Sequence, residues 1–490
     1  MVESTALKII SLLCKTLESE AISYCHWKSN AALARSASGD NDLDLLVSRN
    51  DAHRFTEILN RFNFKEGLEY SSHKLPGVLN YYGYDEDSGR IVHVHVHYQL
   101  ILGHDSTKNY CLPIEKHFLN SAVQGKLFRV PSSEFEYVIF VIRMVLKHST
   151  WDTILALQGE LSNSELQELA FLSQLVDINQ VYKILEEFIP FIEINTFESC
   201  VQALRPMSSK ISRIRAGHQL QRKLKSHARR FHIQDLFLKP CQRVIWGLQR
   251  RFARTSMRKK LASGGAMIAV VGGDGAGKST VVNGIFEWLS HEFVTTKIHL
   301  GKPPWSFATF VIRAISKAGF LLGFSPNLHT TYYTYSVGDF SSFPGYMWLF
   351  REIFTAWDRY RQYSKGRKFA SNGGIVICDR YPLPQIKLMD GVQAGNIIDT
   401  YQTSKLVNWL VKLEANLYQN ILPPNLLIIL RVDPEIAVQR RAGEDPNWIR
   451  SRSQEIWSYD WSDSSAYVVD ACKTKEEVLA QIKHLVWSNI

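Results

Sequence analysis

GGDGAGKST, residues Gly272 to Thr280, decides how this chain is read. Gly272, four further residues (Gly273, Asp274, Gly275, Ala276), then Gly277, Lys278 and Ser279 make a complete phosphate-binding loop. Before it, MIAVV (Met267 to Val271) is short, apolar and rich in β-branching, which predicts a buried strand. After it, STVVNGIFEWLS carries apolar residues at helical spacing. Strand, glycine loop and helix form the setting this motif needs. The glycines let backbone N–H groups turn toward phosphate oxygens, and the helix N-terminus adds partial positive charge. Lys278 has the reach for β- and γ-phosphates, and the Ser279 hydroxyl can take Mg²⁺, so ATP and Mg²⁺ are the expected ligands.

Working outward, three later strands are expected: GGIVICDRY (Gly373 to Tyr381), NLLIILRV (Asn425 to Val432) and AYVVDA (Ala466 to Ala471). With helical stretches between them, they predict an α/β domain with a parallel sheet covered on both faces. Ligands then sit at the carboxyl ends of the strands. The loop and Asp379 both fall at such ends. Asp379 suits Mg²⁺ or its water shell, and Arg380 suits an anionic acceptor. Asp433 and Pro434 predict an N-cap and first helical position. Beyond them, RRAGEDPNWIRSR sets Arg440, Arg441, Arg450 and Arg452 around a Gly/Asp/Pro turn, an arginine-rich flap able to close over a phosphoryl group.

These residues resemble the thymidylate kinase family over most of Met267 to Trp487. The matching motifs are DGAGK followed by Ser279-Thr280, the pair Asp358-Arg359 leading through Gly373-Gly374 to Asp379-Arg380-Tyr381, and Val432-Asp433-Pro434-Glu435 with Ala437 and Arg440. No Asn-Lys-x-Asp base-reading motif occurs, which argues against a GTPase switch. The resemblance implies that Lys278 and the flap arginines stabilise the transferring phosphoryl group. It implies that Asp274 and Arg380 face the phosphate end of the acceptor, that Arg359 reaches its base, and that Tyr381 lines its site. The acceptor half departs from the family. PLPQIKLMDG (Pro382 to Gly391) stands where a serine and an AYQ-like stretch are expected, and LGKPPWSFATFVIRAISKAGFLLGF is longer and more apolar than a compact nucleotide kinase needs. The expected acceptor is thymidylate or another small phosphorylated molecule. Two alternatives stand beside this reading: an ATP-binding scaffold without turnover, and a bifunctional enzyme with an active N-terminal nucleotidyltransferase.

The length of 490 residues, with 45% hydrophobic and 12% aromatic content, supports two or three domains with real cores. The seven cysteines are scattered without a CxxC pair, which fits a reducing cytoplasm and excludes a disulfide framework or a cysteine zinc site. The N-terminus reads as an amphipathic helix and not a signal peptide. YVIFVIRMVL, the most apolar run, is too short to span a membrane and contains Arg143. The net charge of +10 is uneven: Arg205 to Lys260 holds 17 Lys/Arg against one acid, Asp235, while the rest holds 40 bases and 46 acids. Three domains are therefore expected: 1–204, a basic helical linker 205–262, and the P-loop domain 263–490. Within the linker, Val244, Ile245, Leu248 and Phe252 share a helical face amid Arg243, Arg250, Arg251 and Arg254. In order of preference this helix is a packed linker, a peripheral contact with an anionic membrane surface, or a nucleic-acid contact. No oligomeric state is readable.

In the N-terminal part, GDNDLDLLV (Gly39 to Val47) alternates Asp42 and Asp44 on an apolar strand, so both carboxylates share a side and can hold Mg²⁺. With YCHWKSN before it, this resembles the polymerase-β-like nucleotidyltransferases and implies an α+β fold. Ser29 takes the serine position, Lys28 replaces the preceding glycine, and His95 stands where a third carboxylate is expected. His93, His95 and His97 also alternate, which gives either a polar strand face or a transition-metal site.

Overall fold

The computed structural model describes residues 6–69, 75–104, 107–149, 161–248, 258–321, 345–395 and 404–490. The chain divides into two compact units, Met1–Met257 and Arg258–Ile490.

The first unit holds a mixed sheet of β1 (Tyr24–His26), β2 (Leu43–Val47), β3 (Lys65–Leu68), β4 (Val78–Asp85) and β5 (Arg90–His97) in the order β1-β2-β5-β4-β3. β2 and β5 run parallel; the other neighbours are antiparallel. The alternation VHVHVH on β5 has a simple cause. Val92, Val94 and Val96 pack into a core with Leu43, Leu45 and Val47, beneath helices Lys8–Ser19 and Ala52–Arg61. The odd positions therefore face the other way. A second core is helical. YVIFVIRMVL lies in helix Ser133–His148, which is buried nearly all round, so its apolarity belongs to a core helix.

The basic segment begins inside that second core. Helix Lys210–Lys223 contributes Ala216 and Leu220, Leu224 follows, and the buried Arg213 donates to Ala203 O at 3.3 Å. The chain thus continues packing past residue 204, where a linker was expected, and the compact unit ends near residue 257. Helix His232–Leu248 exposes Ile233, Phe237, Val244 and Ile245. Arg250, Arg251, Phe252 and Arg254 lie outside the described residues. Among the described residues, no helix is long and apolar enough to cross a membrane.

The second unit is α/β. Its strands are β6 (Met267–Gly272), β7 (Thr295–His299), β8 (Ile375–Asp379), β9 (Leu426–Arg431) and β10 (Ala466–Asp470), in the order β7-β8-β6-β9-β10 and all parallel. β6 is central and wholly buried, which explains its unbroken apolar run. Met267, Ala269 and Val271 pack with Tyr363 and Ala370 of helix Tyr346–Ser371. Helix Lys278–Ser290 lies against β6, β7 and β8. The order puts the ends of β6 and β8 side by side, with Val270 opposite Asp379.

Candidate active site

The loop is shaped by its glycines. Gly275 and Gly277 have φ of +81° and +82°, the left-handed region that side chains disfavour. A Cβ on Gly275 would lie 2.8 Å from Ala437 O, whereas one on Gly277 would meet nothing within 4 Å. The loop is therefore packed on its Gly275 side and open at the helix N-terminus, where a phosphate would sit. Helix Lys278–Ser290 begins there, with Gly277 as its N-cap and no side-chain cap on its first N–H groups.

Lys278 is buried and folds back onto the loop. Its Nζ donates to Gly272 O at 2.9 Å and Gly273 O at 2.6 Å, and lies 3.8 Å from Asp274. Burial, aided by the nearby Arg380, lowers its pKa to about 8 although Asp274 and Asp379 oppose this. Ser279 Oγ lies 3.4 Å from Asp379 Oδ2. The hydroxyl and carboxylate expected to hold Mg²⁺ thus share one place. Thr280 follows in the helix. The residues fit a hydrated magnesium nucleotide: open N–H groups, an ammonium, a hydroxyl and a carboxylate at the edge of one sheet.

Behind the loop runs a chain of ion pairs. Arg452 Nη1 donates to Asp274 Oδ2 at 2.7 Å, and Arg380 Nη2 donates to Asp274 Oδ1 at 3.1 Å. Arg380 Nη1 also donates to Asp390 Oδ2 at 3.3 Å, and Asp390 Oδ1 accepts from Arg359 Nη2 at 3.1 Å. Burial pushes both carboxyls up, but the arginines win. Arg452, Lys278 and Arg380 hold Asp274 below its ordinary value, and Arg359 and Arg380 do the same for Asp390. Arg380 adopts φ +67°, uncommon for a side-chain-bearing residue, while its N–H donates to Val270 O at 3.0 Å. Gly301 is a glycine because a Cβ there would lie 2.3 Å from Arg380 Cδ and 3.1 Å from Asp390 Oδ1. His299, opposite Asp379 on β7, borders the same place, and burial lowers its pKa.

Two residues expected at the acceptor lie in the interior. Tyr381, expected at the acceptor, is buried in the sheet's core, and its hydroxyl donates to Leu422 O. Arg359 is also buried. It donates to Leu300 O, Gly301 O and the Tyr418 hydroxyl besides Asp390. Its neighbour Asp358 accepts from Ser306 N and Thr309 Oγ1 at the start of helix Phe307–Leu321.

The flap arginines divide. Asp433 caps helix Pro434–Arg440 as its sequence predicts, accepting from Glu435 N at 2.8 Å. Arg440 reaches the loop, with Nη1 at 3.4 Å from Gly275 O and 2.9 Å from Ala471 O. Arg441 pairs with Glu444, and Arg450 makes a bidentate, exposed pair with Glu435. Sequence reasoning left Asp390 and His299 unmarked and gave Arg452 only a place in the flap. The Asp-Gly pair within PLPQIKLMDG was the available sign of Asp390.

In the first unit, both carboxylates of the expected magnesium pair have partners of their own. Asp42 is engaged by His93 Nδ1 at 2.9 Å, and Asp44 by Lys28 Nζ at 2.7 Å and His95 Nδ1 at 3.0 Å. Imidazole and ammonium groups stand where hard Mg²⁺ would need oxygen. Lys28 and Asp44 border a cavity of about 830 Å³, together with Arg35, Lys108, Arg143 and Glu168.

No family model matches the chain. Over 227 residues, 45% of its length, it is 25% identical to the uncharacterized ATP-binding protein YghR of Escherichia coli K12, of which the match covers 86%. The protein of that name in E. coli O6:H1 matches to the same degree. Among solved structures, it is similar to deoxyadenosine kinase from M. mycoides with bound dCTP (TM-score 0.28, 17% identity, covering 45% of this chain and 99% of that one). The dATP-bound form of that kinase gives a TM-score of 0.28 and 18% identity, covering 45% and 98%.

Proposed function

We propose that the unit Arg258–Ile490 is an ATP- and Mg²⁺-dependent phosphotransferase that acts on a small, anionic acceptor, thymidylate being the acceptor its motifs resemble most. The observation that carries this reading is the convergence of Lys278, Ser279, Asp379 and the Asp274–Arg380–Asp390–Arg359 chain at the edge of one parallel sheet. The ATP-binding name of the E. coli relatives supports the donor.

The residues divide the work. The loop N–H groups and the helix start cradle the donor phosphates. Lys278 exchanges its bonds to Gly272 O and Gly273 O for phosphate oxygens. Ser279 and Asp379 would hold Mg²⁺, which when bound would supply positive charge to the donor phosphates. Asp274 and Asp390 aim Arg380 and Arg452 toward the acceptor side. Arg440, already against the loop, and Arg441 and Arg450, which must leave Glu444 and Glu435, add positive charge as the flap closes. Lys278→Ala should abolish transfer from ATP while circular dichroism stays native. Undiminished turnover would overturn the assignment.

The first unit we read as a nucleotidyltransferase-like module without that activity, since Lys28 and His95 engage Asp44. Helix His232–Leu248, with its exposed apolar residues in a basic segment, we read as a peripheral contact for anionic membranes. Sedimentation with anionic vesicles at low salt tests this; failure to bind removes it.

A further inference from the structure

We propose that Asp44, His95 and His97 form a binding site for one divalent transition-metal ion of the zinc class, separate from the magnesium nucleotide site of the second unit. The three ligand atoms converge. Asp44 Oδ1 to His95 Nδ1 is 3.0 Å, His95 Nδ1 to His97 Nε2 is 3.3 Å, and His97 Nε2 to Asp44 Oδ1 is 3.9 Å. A tetrahedral ion with bonds of ~2.0–2.1 Å needs ligands ~3.3–3.5 Å apart, a value that the three separations of 3.0, 3.3 and 3.9 Å bracket. Two imidazoles and one carboxylate suit zinc, cobalt or nickel and disfavour magnesium, which asks for six oxygens.

The fold holds these groups in place. β2 and β5 run parallel with Asp44 opposite His95, which fixes the carboxylate against the imidazole. His97 is buried and meets the edge of Trp27 at 4.9 Å and of His95 at 4.4 Å between ring centres. His93 is not part of the cluster. It stacks on Tyr82 at 4.6 Å and pairs with Asp42. Three ligands leave an open coordination position, and Asp44 borders the 830 Å³ cavity from which water or an anion can fill it.

Lys28 gives the proposal its sharpest consequence. Its ammonium lies 2.7 Å from Asp44 Oδ1, the oxygen the metal would use. Ammonium and metal therefore compete for one carboxylate, and the lysine must swing away when metal binds. Removing that charge should tighten binding, because a like charge at such a distance opposes the ion.

The test uses the full chain, freed of metal by dialysis against chelator, with Co²⁺ as a spectroscopic probe and Zn²⁺ in calorimetry. Wild type should bind one ion with visible d–d bands and no thiolate charge-transfer band, and millimolar Mg²⁺ should not compete. His97→Ala and Asp44→Asn should lose the ion, and His93→Ala should keep it. Lys28→Met should bind at least tenfold more tightly, a gain that misfolding cannot produce. Equal binding by wild type and His97→Ala, displacement by equimolar Mg²⁺, or unchanged or weaker binding by Lys28→Met would each overturn the proposal.

Discussion

Nucleotide binding should weaken as pH rises through the Lys278 titration, and the structure sets the size of the effect. Lys278 is buried, and its pKa is lowered to about 8, chiefly by loss of water. Only the ammonium form attracts phosphate, so affinity is present below this pKa and lost above it. Between pH 7.5 and 9 the protonated fraction of the free protein falls from about three quarters to about one tenth, an ~eightfold loss of affinity, or about 1 kcal/mol. A lysine at an ordinary pKa near ~10.4 would lose almost nothing across this range. Calorimetric titration of the protein with Mg²⁺ and a non-hydrolysable ATP analogue checks this, since the terminal phosphate is already ionised at pH 7.5. The variant Lys278→Arg supplies the control: it should bind more weakly but with a flat profile, because a guanidinium stays charged. A wild-type profile as flat as that of Lys278→Arg would refute the reasoning, as would an affinity that rises with pH.

Other consequences are as direct. Asp390→Ala strands Arg359 and Arg380 without their shared carboxylate, and should cost about 3–5 kcal/mol in denaturant unfolding of the second unit along with most activity. Gly277→Ala should cost about 1–2 kcal/mol, from positive φ alone; Gly275→Ala should cost more, because its Cβ would also crowd Ala437 O at 2.8 Å, and equal midpoints would count against the loop geometry. Arg450→Ala removes an exposed pair with Glu435 and should leave the unfolding midpoint unchanged while lowering kcat. Arg440→Ala should lower kcat by ~10²-fold or more with little change in nucleotide affinity, as expected for charge delivered to the transition state.

Much of the second unit was legible because local patterns agreed with one another. MIAVV, IVICD and NLLIIL are apolar without alternation, as parallel strands covered on both faces must be, and all three form strands. The Asp433-Pro434 cap held for the same reason: its chemistry is local. What escaped reading depends on distant parts meeting. Nothing near Tyr381 announces that its hydroxyl turns to Leu422 O, and nothing near Arg359 announces that Leu300, Gly301, Tyr418 and Asp390 enclose it. Asp390 itself stands in the stretch that departs from the thymidylate kinase pattern, so the family comparison hid it. In the first unit the VHVHVH alternation correctly signalled one polar face, but which histidines meet Asp44 is set by the parallel register of β2 and β5. The packing of the basic segment likewise depends on distant parts. Charge on Lys210–Lys223 dominates its composition, while Ala216 and Leu220 at helical spacing bury one stripe in the helical core.

In the proposed function, ATP bound at the Gly272 loop gives up its γ-phosphoryl group to an acceptor and is not merely held. The most direct measurement follows the γ-phosphate of labelled ATP, with Mg²⁺, into products across a panel of acceptors: thymidylate, other nucleotides and sugar phosphates. The account predicts a labelled acceptor product formed by the wild-type chain, absent with Lys278→Ala and strongly reduced with Asp379→Asn. ATP binding without a labelled product from any acceptor, or a product that persists in Lys278→Ala, would contradict it.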